Sequence, residues 1–193
     1  MSATKIVPLV KKMDRWESHF MQTAMLAATM SDDRSTKVGC VIVKENAILA
    51  SGCNTFPRGC YVNGEDLEPH LQMREYMVSG IINPESRARI LAPIEARHEK
   101  PAKYLWTEHA ERNAIYGVAR RGGPALQGSA IYVPWFPCAD CARAIIQSGI
   151  SQVVAYLPDF DHPKYGPDFK VAVQMFKESG VDVRYVERLE AAK

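Results

Sequence analysis

The feature that most constrains this 193-residue chain is a set of three metal-ligand side chains at the starts of two predicted helices. His109 opens one apolar helical pattern, and Cys138 and Cys141 open the next one behind Pro137. The only strand predicted between these helices runs from Ile131 to Val133. Because the two motifs occur together in this order, chance is a poor explanation for the pattern.

One histidine and two cysteines form a good ligand set for zinc, and a catalytic zinc keeps three protein ligands so that water occupies the fourth position. Pro137 suits a first helical turn, which would place both cysteines at the positive end of the helix, where a thiol pKa falls. Thr107 is the expected N-cap of the preceding helix. Glu111 then follows His109 closely enough to transfer protons without ligating the metal, as hydrolytic deamination requires.

Other interpretations of the same residues are open. A Cys-x-x-Cys pair by itself is equally compatible with redox chemistry, a structural role or simple burial. A histidine near a helix start is often an ordinary hydrogen-bonded residue. A structural zinc site would need a fourth cysteine or histidine, and no such residue lies immediately beside these ligands.

The composition is that of a globular protein, with 47% hydrophobic and 24% charged residues. The length fits a single domain, which we place at residues 1–193. With 24 Lys and Arg against 22 Asp and Glu, the formal charge is +2. This balance does not favour a nucleic-acid or acidic-membrane binder, so we expect a small polar ligand and no nucleic-acid or membrane partner.

The five cysteines are an odd number, and the first residues lack the apolar core of a secretory signal. A disulfide framework is therefore not expected. The longest uncharged stretch, Gly122 to Ala139, is interrupted by glycines and prolines that a bilayer span would hardly tolerate. We expect a cytoplasmic protein whose cysteines serve as ligands, nucleophiles or core residues.

The periodic patterns predict an α/β fold. Asp14 and Glu17 form a capping box before a first helix from about Arg15 to Met30. Later strands alternate with helices, which predicts a three-layer α/β/α arrangement around a mixed five-stranded sheet. The other predicted elements are the strands Cys40 to Val43, Ile48 to Ser51, Ile131 to Val133, Val153 to Tyr156 and Val181 to Tyr185, and the helices His109 to Arg120, Pro137 to Ser148 and Asp168 to Ser179.

Residues 57–108 interrupt this regular pattern with many charges and five prolines, and carry only short amphipathic pieces such as Glu85 to Ala92. A loop of this length within a domain is uncommon unless it is functional or has helices of its own. We interpret it as an insertion into the single domain.

Taken together, these motifs resemble those of the zinc-dependent cytidine and deoxycytidylate deaminase superfamily, and most closely its deoxycytidylate (dCMP) branch. The similarity covers most of the chain outside the insertion and the tail. The segments that carry it are Ser35 to Gly39, Gly52 to Gly59, His109 to Ile115 and Pro137 to Ile150.

The resemblance implies a cytidine deaminase-like fold, a homo-oligomer, and hydrolysis of a deoxycytidine nucleotide, with dCMP converted to dUMP and ammonia. It also implies one catalytic zinc held by His109, Cys138 and Cys141, with Glu111 as the proton carrier. Asn54 would hydrogen-bond the sugar, the Ala110 backbone would contact the pyrimidine edge, and Trp135 and Phe136 would pack against the base. For a 5′-phosphate we name Arg58 first, because its guanidinium can bind phosphate bidentately, with Arg34 and Lys37 as further cations.

Several alternatives to this function are open. The zinc motif is indifferent to the rest of the substrate, so cytosine, cytidine, guanine or an unusual aminated ring could replace dCMP. A nucleic-acid editor and a non-catalytic zinc protein are weaker alternatives. The chain also departs from the usual family pattern at Cys53, where a glycine is common. Cys60, His70 and His98 are ligand types for a second, structural zinc, but their spacing matches no compact zinc motif.

Overall fold

The structure, a computed structural model, describes residues 8–67, 69–70, 72 and 83–189. These residues form two compact units. The first unit contains the described residues up to Ser31, those from Lys37 to Asn54, and those from His109 onward. The second contains the segment Asp32–Thr36 and the described residues from Thr55 to Glu108.

A six-stranded mixed sheet organises the first unit, with strand order β1-β6-β5-β4-β2-β3. Strands β1, β6, β5 and β4 are parallel to their neighbours, whereas β2 is antiparallel to both β4 and β3. The strands are β1 Val10–Lys11, β2 Gly39–Lys44, β3 Ala47–Cys53, β4 Ala130–Val133, β5 Gln152–Tyr156 and β6 Asp182–Val186.

Helices cover both faces of the sheet because its central strands are apolar on both sides. Helix α1, Arg15–Ala28, buries Phe20, Met21 and Ala24 with one set of strand residues that includes Val41 and Val43. The alternate strand residues pack on the other face against three helices. These are α4 Ala110–Arg120, α5 Ala139–Gln147 and α6 Gly166–Ser179.

These elements confirm the predicted α/β fold and most of its predicted helices and strands. The Asp14 side chain accepts from the backbone of Trp16 and Glu17, and Glu17 completes the capping box. Strand β1 was missed because two residues are too few to show a period. It pairs with β6, so the sheet has six strands instead of the predicted five.

The second unit contains the helices α2 Pro84–Glu95 and α3 Lys103–Trp106, with a 3₁₀ turn at Ala96–His98. Lys103 and Asp33 form an ion pair of 2.7 Å with both side chains nearly buried. Burial raises the pKa of Asp33, but hydrogen bonds from Lys103 and from two backbone N–H groups outweigh it and lower that pKa to about 2. No helix in the described part of the chain has the length and apolarity needed to cross a membrane.

Helix α4 lies unusually close to strand β3 of the first unit at Gly52. A Cβ atom at this position would overlap the carbonyl oxygen of Ala110 and lie 2.7 Å from the backbone nitrogen of Ala114. Since both atoms belong to the helix backbone, a rotamer change cannot relieve the overlap. Glycine at position 52 therefore sets the distance between the sheet and the start of α4.

We expect Gly52→Ala to lower the free energy of unfolding by about 1–3 kcal/mol, because α4 must move away from β3. In an ordinary strand position alanine would instead restrict the unfolded chain and tend to stabilise the fold. Ser51→Ala changes the exposed neighbour on the same strand and should stay within about 0.5 kcal/mol of the wild type. Urea denaturation measures both, and equal stability of the two variants would contradict the close-contact argument.

Candidate metal centre

The three predicted ligands lie at the starts of α4 and α5. His109 is the N-cap of α4 and Cys138 is the N-cap of α5, each with an extended backbone. Two details of the sequence prediction were wrong. Thr107 is the C-cap of α3 and not the N-cap of α4, and Pro137 precedes the N-cap of α5 instead of lying in its first turn. Histidine and cysteine replace the usual capping residues, and neither makes a side-chain capping bond.

The three ligand atoms are close together. His109 Nδ1 lies 3.4 Å from Cys138 Sγ and 3.4 Å from Cys141 Sγ, and all three atoms lie within 4.8 Å of one another. Tetrahedral zinc with ordinary Zn–S and Zn–N bond lengths separates its sulfur and nitrogen ligands by about 3.5 Å. The donor set and its spacing therefore fit zinc. Among the described residues, these are the only three potential ligands whose donor atoms lie this close together.

Hydrogen bonding within the group favours a thiolate at Cys138. The contact with Cys141, reinforced by His109, lowers the pKa of Cys138 to about 4 despite its partial burial. The same contact and burial raise the pKa of Cys141, while the contact with Cys138 raises the pKa of His109 to about 9. A thiolate is the form of cysteine that binds zinc, so the site holds one ligand ready for the metal.

Glu111 follows His109 by two residues, in the first turn of α4, and only 4% of its surface is exposed. Burial raises the pKa of its carboxyl above the ordinary value. A carboxyl group with a raised pKa can both accept and donate a proton near neutral pH. Among the described residues, the ligand group consists of His109, Cys138 and Cys141 and does not include Glu111.

Asn54 follows β3 directly and is buried, with 6% of its surface exposed. Its Oδ1 atom accepts from the Val38 backbone N–H at 2.8 Å and lies 2.7 Å from the Ser31 hydroxyl. These contacts fix the orientation of the amide and identify its Nδ2 group as the end that can act as a donor. Ser31 was missed by the sequence analysis because serine at a helix end carries no distinguishing signal.

The two predicted aromatic contacts lie in different environments. Trp135 is 45% exposed and makes an edge-to-face contact with Tyr165 at 6.1 Å between ring centroids. Phe136 is 2% exposed and packs in the core against Phe169 and Tyr185. Contact of either ring with a base stays a prediction.

The remaining predicted residues are also described by the structure. Ala110 is fully buried as the first residue of α4. Arg58 is exposed in the second unit, within a turn closed by the Cys60 N–H bond to the Pro57 carbonyl. In that unit, His98 Nε2 lies 2.5 Å from the Val62 carbonyl oxygen, and Cys60 is a free thiol. Among the described residues, Cys60, His70 and His98 are not grouped as metal ligands.

Two further residues connect the metal centre to its surroundings. Asn113 Nδ2 donates to the Cys53 carbonyl at 2.9 Å, which ties the end of β3 to α4. Asp168 Oδ2 accepts from the Ala139 backbone N–H at 3.1 Å, between the two cysteine ligands in sequence. Neither contact could be obtained from spacing alone, because each joins residues far apart in the chain.

Comparison with known proteins agrees with this geometry. A family model described as the cytidine and deoxycytidylate deaminase zinc-binding region matches residues 14–157. The chain belongs to this deaminase family. Zinc is the metal of the family domain, and His109, Cys138 and Cys141 are grouped so that they could hold it.

Curated members of the deaminase family match nearly the full chain. The deoxycytidylate deaminase of Mus musculus is 32% identical over 170 residues, covering 88% of this chain and 78% of its own length. An uncharacterised deaminase of Aliivibrio fischeri is 33% identical over 175 residues, covering 89% of this chain and 94% of its own.

A solved structure supports the cytidine deaminase-like fold. The dCMP deaminase from cyanophage S-TIM5, determined in complex with dCMP and dUMP, superimposes with a TM-score of 0.57 at 24% identity. The match covers 88% of this chain and 95% of the phage chain. The two chains thus share this architecture although most of their aligned residues differ.

We expect Cys138→Ser and Cys141→Ser each to abolish stoichiometric zinc binding, because a neutral hydroxyl is a poor replacement for a thiolate. Cys60→Ser is the matched control, since this free thiol lies outside the metal group, and it should retain one zinc per chain. Elemental analysis of the purified proteins gives the zinc-to-protein ratio. Full zinc occupancy in both site variants would refute the ligand assignment.

Proposed function

We propose that this protein is a zinc-dependent deoxycytidylate deaminase, which hydrolyses dCMP to dUMP and ammonia. The observation that carries the proposal is the buried carboxyl of Glu111 two residues from His109, beside a metal group that uses three protein ligands. The family membership and the mouse relative named deoxycytidylate deaminase support the same activity.

Bound zinc supplies a Lewis acid that makes water nucleophilic near neutral pH. We propose that Glu111 accepts a proton from the attacking water and passes it to the ring nitrogen, and then accepts the proton of the newly added hydroxyl and passes it to the departing ammonia. Its raised pKa supports this double role, because the same group must be a base in one step and an acid in the next. His109, Cys138 and Cys141 hold the metal and take no part in proton transfer.

Substrate recognition is proposed to involve residues of different chemistry. The Asn54 amide hydrogen-bonds the sugar, and its fixed orientation supports that role. The Ala110 backbone contacts the pyrimidine edge from the first turn of α4. Of the aromatic pair Trp135 and Phe136, the exposure of Trp135 favours it as the ring that packs on the base. Arg58 is the proposed phosphate ligand, because a guanidinium binds phosphate bidentately.

We also propose that residues 57–108 are an insertion into one deaminase domain spanning 1–193. The second compact unit, which contains the described residues from 55 to 108, supports this interpretation.

We propose in addition that the enzyme is a cytoplasmic homo-oligomer. Three exposed apolar residues near the end of α1 support oligomer formation, since exposed apolar clusters are common at interfaces: Met25, Leu26 and Met30.

Ammonia release measured on dCMP, CMP, deoxycytidine, cytosine and guanine tests the proposed substrate. We expect dCMP to give the highest kcat/KM, and both nucleotides, dCMP and CMP, to exceed deoxycytidine and the free bases, because only a nucleotide can use both a sugar contact and a phosphate contact. Loss of the phosphate in deoxycytidine should appear mainly as a higher KM. Activity confined to free bases would refute the nucleotide assignment.

Glu111→Gln should lower kcat for dCMP by a factor of about 10² to 10⁴, since the amide cannot transfer a proton. Zinc content should remain at one per chain, because Glu111 is outside the ligand group. Glu178→Gln is the matched control. It makes the same change at an exposed carboxylate near the end of α6 and should leave kcat unchanged. Wild-type turnover by the zinc-loaded Glu111 variant would contradict the proposed role.

A further inference from the structure

Helix α5 begins with a residue that does not cap it. A helix leaves its first N–H groups without intrahelical partners, and Ser, Thr, Asp or Asn at the N-cap commonly accepts one of them. In α5 the N-cap is Cys138, and its side chain makes no capping bond. The Cys138 sulfur is part of the metal group, 3.4 Å from His109 Nδ1. The side chain of Cys138, which is best placed to cap the helix, therefore belongs to the metal group instead.

Asp168 supplies the missing acceptor from another helix. Its Oδ2 atom accepts from the N–H of Ala139, the first residue of α5, at 3.1 Å. Asp168 itself lies in the first turn of α6. Its carboxylate is thus close to the positive ends of two helices, and both helix dipoles favour a negative charge there.

A second contact attaches the same part of α6 to the metal segment. The ring of Phe169 lies 5.8 Å from that of Phe136 in an edge-to-face arrangement, and both rings are buried. Phe136 is two residues before Cys138, and Ala139 is one residue after it. Two successive residues of α6 therefore hold the backbone on both sides of this ligand.

We propose that Asp168 is a positioning residue for the zinc site, acting as a remote cap that holds the Cys138–Cys141 turn in its metal-binding geometry. The capping bond fixes the Ala139 peptide, and through it the directions of both cysteine side chains. Outer residues that orient metal ligands typically contribute a factor of about 10 to 100 in metal affinity. The inference rests on the zinc ligands proposed above and is independent of the substrate.

Zinc affinity of the full-length Asp168→Ala, Asp168→Asn and Asp161→Ala variants, measured by competition with a chromogenic chelator, tests the proposal. Asp168→Ala removes the acceptor, so we expect zinc to bind about 10 to 100 times more weakly. Asn keeps an oxygen acceptor and loses only the charge, so Asp168→Asn should weaken binding by less than about fivefold. Asp161 pairs with Lys170 at the surface, 3.7 Å away, and Asp161→Ala should bind zinc like the wild type.

Wild-type zinc affinity in Asp168→Ala would overturn the proposal, and so would an equal loss in the Ala and Asn variants. Hydrogen exchange of the Ala139 amide provides a test that needs no folded variant. In the zinc-loaded wild type we expect this amide to exchange more slowly than in an unstructured chain, and exchange at the unstructured rate would also overturn the proposal. Failure of the wild type to bind zinc would instead refute the ligand assignment.

Discussion

The close approach of helix α4 to strand β3 is the contact on which the metal centre depends. Gly52 allows the helix backbone to lie directly against the strand, because any side chain there would overlap Ala110. The first turn of α4 carries Glu111, and His109 caps it. Asn113 then joins the same helix to the last residue of β3. One helix therefore places His109 and Glu111, the proposed metal ligand and the proposed proton carrier, at a fixed distance from the strand that leads to Asn54.

Two helix starts supply the chemistry of the site in complementary ways. The start of α4 provides an imidazole and a buried carboxyl, and the start of α5 provides two sulfurs. Placing ligands at N-caps brings them to the positive end of a helix, which stabilises thiolates. The cost is that these residues cannot satisfy the helix N–H groups themselves. Asp168 illustrates how a neighbouring helix can provide such an acceptor.

Some features could be predicted because they depend on local sequence. The Asp14 and Glu17 capping box and the strand and helix periods require only neighbouring residues, and the structure confirms them. The N-cap of α4 was wrongly predicted at Thr107, because capping preferences favour threonine over histidine. Capping preferences reflect hydrogen bonding to the helix N–H groups. They give no information about a residue such as His109, whose ring belongs to a metal group. Strand β1 is too short to produce a sequence pattern and is defined only by its parallel pairing with β6.

The sequence by itself determined the types of the chemical groups and their order, because zinc needs particular donor atoms and proton transfer needs a carboxyl group. The spacing of His109, Glu111, Cys138 and Cys141 was enough to indicate the metal and the reaction class. Only the tertiary structure decided the 3.4 Å separations, the burial that raises the pKa of Glu111, and the separate environments of Trp135 and Phe136. These properties depend on packing between residues distant in sequence, such as Asp168 and Ala139, which no local pattern encodes.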